Sequence, residues 1–177
     1  IRTFYMNRGY LDFDIKNTTV SISETKKNVY IAIIIDEGDK YTFGDIKISG
    51  KYYPLTEESI FQNDIKTIKG EVFSRELLNQ STESINQELG NYGYAFSNVN
   101  PIPDVDKENL IVGFNYFIEP GKKVYVRRIS FIGNERTQDK VIRREMRQFE
   151  SSYYDKEKID QSTRRLKRTQ YFEGVDI

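Results

Sequence analysis

The residues best placed to do chemistry lie late in the chain. Arg143, Arg144 and Arg147 stand close together, Glu150 follows them, and Arg164, Arg165, Lys167 and Arg168 crowd the next segment. The spacing predicts a helix from Arg143 to Gln148 with Arg143 and Arg147 one turn apart and Arg144 beside them. Guanidinium groups gathered in this way suit carboxylates or phosphates. Glu150 would end that helix as a lone carboxylate opposing the macrodipole, a local rule broken without visible compensation, which hints at function. The plainer alternative for the cluster is a solvated helix face. An acidic protein partner suits it better than nucleic acid, because no aromatic-lined sheet motif or Gly-rich phosphate loop accompanies the charges. Asp104 and Asp106 form a carboxylate pair, but in a turn without a nucleophile they read as solvated turn residues. The chain has no His and no Cys. That excludes a zinc finger, haem or iron–sulfur ligation, a Cys nucleophile and a Ser-His-Asp triad. We expect no catalytic site, no metal and no cofactor.

Charge is divided along the chain. Lys and Arg number 27, as do Asp and Glu, so the formal charge is zero. Residues 121–177 nevertheless carry 15 basic against 9 acidic side chains, and residues 40–120 carry 7 against 12. A basic end and an acidic middle are therefore hidden inside a neutral total.

A second candidate is a strand predicted over residues 10–22. Leu11, Phe13 and Ile15 share one face, and Val20 and Ile22 share one after a phase slip near Asn17-Thr18. No proline interrupts it, so a free edge here could accept an extended segment from another chain through main-chain hydrogen bonds. The charges of Asp12, Asp14 and Lys16 are what an ordinary protected edge would carry. The corresponding strand predicted from residue 94 holds Pro101 and Pro103, and proline cannot donate to a ladder, so that edge should accept partners poorly.

The elements that must position these residues come from an internal repeat. Residues 35–50 match residues 118–133 at an offset of 83, with Gly38 meeting Gly121, Ile46 meeting Ile129 and Gly50 meeting Gly133. Gly9-Tyr10 matches Gly93-Tyr94 at an offset of 84, and Gln80-Ser81-Thr82 recurs as Gln161-Ser162-Thr163 at an offset of 81. The complete copy reads as strand, helix, helix, strand, strand. Residues 41–49 alternate as a strand, Thr56 caps one helix and Ser74 another, and Leu78, Ser81, Ile85 and Leu89 make one buried stripe. Strands follow at 94–100 and 110–118, separated by a turn at 106–109. The apolar runs Ile31–Ile35 and Leu110–Phe114 predict strands paired on both sides. The fold class is α+β, a tandem array in which two helices cover one face of each three-stranded sheet. The divisions are 1–39, the end of one unit; 40–120, a whole unit; and 121–177, a first strand and two helices lacking the terminal hairpin strand. The chain opens without Met inside what reads as ongoing structure, so we expect a piece of a longer protein. Its two broken units are complementary, which predicts self-association of the fragment, residues 1–39 of one copy completing residues 121–177 of another.

The unit order, the Gly-Tyr after the second helix and the Glu-Gly or Pro-Gly entering each new unit resemble the polypeptide-transport-associated (POTRA) family. The runs Tyr5-Met6-Asn7-Arg8-Gly9-Tyr10, Tyr92-Gly93-Tyr94-Ala95, Tyr125–Asn134 and Arg143–Gln148 are similar to POTRA arrays of the machinery that assembles β-barrels in Gram-negative outer membranes. The resemblance implies the end of a third POTRA domain, all of a fourth and most of a fifth, in the periplasm. It implies accessory lipoproteins, unfolded outer-membrane proteins and the protein's own C-terminal membrane barrel as partners, and anionic lipid as another neighbour of the basic end. To Glu150 it gives a contact with a lipoprotein, from which Glu150→Lys is expected to weaken binding and leave the fold intact. The alternative is a POTRA array of a two-partner secretion or import-type transporter.

Overall fold

The structure is a computed structural model that describes residues 1–177. Its elements run α1 (Arg2–Met6), β1 (Asp14–Ile22), β2 (Val29–Asp36), β3 (Thr42–Gly50), α2 (Glu57–Asn63), α3 (Arg75–Asn91), β4 (Asn98–Asp106), β5 (Ile111–Glu119), α4 (Asp139–Glu145) and α5 (Lys156–Arg168). β1 and β2 form an antiparallel two-stranded sheet, and a second sheet has the order β3-β5-β4. No helix is long and apolar enough to cross a membrane.

Two helices start at caps readable from local chemistry, α2 at Thr56 and α5 at Asp155. Thr56 accepts from the Ser59 amide at 3.2 Å while its own amide donates to the Ser59 hydroxyl at 3.1 Å, a capping box that opens α2. α2 stops at Asn63. α3 buries its apolar stripe as expected, with Ser81, Ile85 and Leu89 fully enclosed. In the three-stranded sheet the apolar β5 is central. Its prolines leave β4 at an edge, where missing N–H groups do no harm.

The chain divides into two compact units. One holds residues 1–47, 66–81 and 101–116. Its core is aromatic: Phe73 stacks on Phe114 at 6.0 Å, and Phe43 meets both edge-on. Each such burial contributes about 1.5–3 kcal/mol. Beside them the fully buried Tyr116 hydroxyl faces Ser81 and Thr67, and burial pushes its pKa up.

The other unit holds residues 48–65, 82–100 and 117–177. Ile60, Ile85, Leu89 and Ile118 are enclosed in it, and a separate cluster joins Ile142, Met146 and Leu166 with Ile129, Phe131, Phe172 and Val175. An apolar cleft of about 540 Å³ opens along that cluster.

The internal repeat is written in hydrogen bonds as well as letters. The Lys66 amide donates to Ser81 Oγ at 2.8 Å, and that hydroxyl donates to the Leu77 carbonyl at 2.9 Å. Eighty-one residues on, the Arg147 amide donates to Ser162 Oγ at 2.8 Å and Ser162 to the Lys158 carbonyl at 2.7 Å. Phe43 exchanges backbone bonds with Gly70 and Glu71 just as Val126 does with Ser151 and Ser152.

Four expectations need correction. The strand predicted over 10–22 begins only at Asp14, and Leu11 and Phe13 lie in a turn. The Tyr10 amide bonds the Tyr5 carbonyl, Tyr41 donates to the Asp12 carboxylate at 2.9 Å, and Phe13 stacks under Tyr5 at 4.3 Å. These ties fold the segment back and bury Phe13. The strand predicted from residue 94 begins at Asn98, because the Tyr94 amide is still held by the Leu89 carbonyl at the end of α3. β2, predicted to pair on both sides, pairs with β1 alone, leaving Val29 and Ile31 at least 60% exposed. The first strand predicted in 121–177 forms no ladder, only a single bridge between Tyr125 and Tyr153, since no second strand lies beside it.

Candidate functional site

The predicted residues fall on two surfaces, one in each unit. In the first unit, β1 pairs with β2 from Asp14↔Asp36 to Ile22↔Val29, and its other edge has no partner in the chain. The register shifts between Ile15 and Asn17, so the predicted phase slip is a bulge at Lys16. Lys16 there pairs with Asp14 at 3.4 Å and Asp36 at 3.5 Å, while Arg2 reaches Asp14 at 3.1 Å. Charge therefore guards the start of the edge. Beyond the bulge Val20 and Ile22 are 60% and 65% exposed and no proline intervenes. Of the five predicted edge residues, Ile15, Val20 and Ile22 lie on the strand; Leu11 and Phe13 do not.

The second surface is built around the end of α4. That helix stops at Glu145, and Met146 is already extended, with φ −67° and ψ 141°. The predicted helix to Gln148 is thus too long. Met146 turns into the core, Arg147 gives its amide to Ser162, and Gln148 is drawn inward. The Gln148 amide group donates to Ser152 Oγ at 2.7 Å and the Tyr153 carbonyl at 2.9 Å, and its carbonyl oxygen accepts from the Asp155 amide at 2.8 Å. This buried glutamine shapes the loop from 146 to 155. Sequence reading passed over it, although a polar residue standing where the buried Thr67 stands in the previous copy was a usable signal.

Glu150 is not a stray acid at a helix end. Its Oε1 accepts from the Ile129 amide at 2.9 Å and pairs with Arg143 at 3.4 Å. Arg143 in turn donates to the Ile129 carbonyl at 3.2 Å and lies 5.0 Å over the Phe131 ring. One ion pair therefore holds both backbone groups of Ile129, as a neighbouring strand would. The Ile129 amide, with Arg143 and Arg128, holds the Glu150 carboxyl below its ordinary range. This arrangement overturns the premise that the carboxylate lacks compensation, so Glu150→Lys is now expected to loosen the Ile129 segment as well as to change the surface charge. Arg147 donates to the Met146 carbonyl at 3.1 Å, and Arg144 pairs with Glu145 at 3.4 Å while remaining largely exposed. Arg165 reaches the same Glu145 at 2.6 Å. Arg143, Arg144 and Arg147 thus all lie at or just past the C-terminal end of α4, where their charge suits its dipole, and each is turned to a different partner: Glu150, Glu145 and the Met146 carbonyl.

A pH dependence follows. A depressed carboxylate contributes stability that is complete above its unfolded pKa and lost as pH falls through the folded one. Acidification below about 4, beneath the usual glutamate value, is expected to release the Ile129 amide. Amide exchange at Ile129 measured against pH checks this. Unchanged protection through that range would mean that Glu150 does not hold the segment.

Comparison with known proteins places the whole chain. The family model described as POTRA, surface antigen variable number repeat, matches residues 1–38, 41–121 and 124–177. The chain is 34% identical, over all of its length, to the outer membrane protein assembly factor BamA of Neisseria meningitidis, and 30% identical to BamA of Buchnera aphidicola. It spans 22% and 28% of those curated relatives. A crystal structure of Haemophilus influenzae BamA POTRA3-5 superposes with a TM-score of 0.90 at 29% identity, covering 99% of this chain and 68% of that one.

Proposed function

The chain belongs to the POTRA family, and from that premise we propose that it is a periplasmic scaffold of an outer-membrane β-barrel assembly machinery. On this reading residues 1–39 end a third POTRA domain, residues 40–120 are a fourth and residues 121–177 most of a fifth. Unfolded outer-membrane proteins add as strands to the free edge of β1. An accessory lipoprotein docks on the surface of Arg143, Arg144, Arg147 and Glu150, and the array stands before the protein's own membrane barrel.

The observation that carries the client-binding half is the contrast between two edges of one chain. β1 presents an unpaired edge without proline, whereas the edge strand β4 contains Pro101 and Pro103. Main-chain pairing gives affinity that depends little on client sequence, as a receptor of many β-proteins requires. For the docking half, the support is charge. Arg144 is exposed at the end of a basic helix, within a segment rich in Lys and Arg, and offers guanidinium donors to an acidic partner.

Titration of a peptide copied from an outer-membrane barrel strand into the 177-residue chain tests the reading. Backbone amide shifts are expected to concentrate in residues 14–22 and leave residues 98–106 little changed. Larger shifts on β4 would reverse the assignment.

A further inference from the structure

Every α-helix begins with amide groups that its own turns cannot satisfy. In α3 and α5 the amide at the third helical position is met from within: Ser74 Oγ faces the Leu77 amide at 3.5 Å, and Asp155 Oδ1 accepts from the Lys158 amide at 3.0 Å. The amide one position earlier is met from far away in sequence. Asn7 Oδ1 accepts from the Glu76 amide at 3.0 Å, and Asn91 Oδ1 accepts from the Glu157 amide at 2.9 Å. Those partners are 69 and 66 residues apart. Each asparagine stands just past or at the end of a helix, α1 or α3, and caps the start of the equivalent helix in the next copy of the repeat.

The surrounding backbone repeats too. The Tyr41 amide donates to the Gly9 carbonyl at 2.8 Å, and the Val124 amide to the Gly93 carbonyl at 2.9 Å. Gly9 and Gly93 have φ of +103° and +97°, a region that strains other residues. A Cβ on Gly9 would lie 2.7 Å from Lys40 and 3.0 Å from Val72. Around Gly93 the equivalent residues, Lys123 and Tyr153, close in at 3.5–3.7 Å. The third copy of the segment reads Thr169-Gln170-Tyr171 and has neither the asparagine nor the glycine.

We propose that the Asn-x-Gly segment is a latch between successive repeats: the asparagine caps the next repeat's long helix and the glycine lets its carbonyl accept from the backbone that opens that repeat, so that together they fix the angle of the joint. Asn7 and Asn91 are positioning residues of the array. Dividing the orphan amides between a local cap and a distant one makes the start of the helix depend on the joint being closed.

Spin labels at Gln87 and Arg164 of the whole 177-residue chain report the distance between α3 and α5 by double electron resonance, and amide exchange reports the caps. Asn91→Ala is expected to expose the Glu157 amide about fivefold, the usual scale of a lost cap, and to broaden the distance distribution. Asp155→Ala should speed exchange at Lys158 and fray α5 to a similar degree without broadening it. An unchanged distribution in Asn91→Ala, or equal broadening in both variants, would overturn the latch and leave Asn91 an ordinary helix cap. Labels at Ser21 and Asn79 with Asn7→Ala repeat the test at the other joint.

Discussion

Gly50→Ala is expected to destabilise the unit that contains it severely, whereas Gly133→Ala, its counterpart in the repeat, should be tolerated. Gly50 closes β3 with φ of +96°, and a Cβ there would overlap the Ile118 carbonyl oxygen and lie 2.9 Å from the Ile118 nitrogen. Both clashing atoms are backbone of the central strand, whose Ile118 is fully enclosed. Neither strand can yield without parting the sheet, so strain and overpacking together should remove about 4 kcal/mol or more. Against a total of roughly 5–15 kcal/mol that is a large share. Gly133 has φ of +84°, but nothing stands within 4 Å of its would-be Cβ. Only the conformational penalty applies there, about 1 kcal/mol. Thermal melts of the two variants separate the cases, with a fall in Tm of roughly 10 °C against a few degrees. Equal losses would mean that the close approach of β3 to β5 is not what demands glycine at residue 50.

That contrast shows what a repeat in sequence does and does not convey. The letters put Gly50 and Gly133 at one place, and the helix caps and the buried stripe of α3 were equally legible because they rest on contacts within a few residues. The central position of β5 agrees with its apolar run, but the same signal over Ile31–Ile35 misplaced β2, which pairs with β1 alone. What escaped depends on distant partners. Leu11, Phe13 and Ile15 alternate as a strand would, and only the Tyr41–Asp12 bond and the stacking of Tyr5 on Phe13 turn that segment inward. The Arg143–Gln148 run has helical composition, yet Ser162 and the buried Gln148 end the helix at Glu145. Glu150 seemed uncompensated because the groups that satisfy it, Ile129 and Arg143, come from a segment 21 residues away and from the helix before it. In each case the sequence showed the residue and the fold supplied the partner.

Ser162 offers a way to disturb the Arg143–Glu150 surface without touching it. The side chain is fully enclosed and makes two bonds, accepting from the Arg147 amide and donating to the Lys158 carbonyl. The second can be given up, because that carbonyl is in any case within the body of α5. The first cannot, since Arg147 is half-buried just past the end of α4 and its amide has no helical acceptor left. Ser162→Ala strands that donor, and an unsatisfied buried group costs about 1–3 kcal/mol. The loop from Met146 to Glu150 then loses its tether to α5, so Arg147 and Glu150 shift while their own side chains are unaltered. The expected result is a fall in Tm of several degrees together with faster amide exchange at Arg147 and Ile129. Ser81→Ala should lower stability by a similar amount through the Lys66 amide, because the same pair of bonds occurs there. It should leave exchange at Ile129 as it was. If Ser162→Ala melts like the wild type, the matched serines are matched in sequence alone, and the anchoring of the surface lies with Gln148. If both variants loosen Ile129 equally, the loss is global, and Ser162 has no particular hold on the Arg143–Glu150 surface.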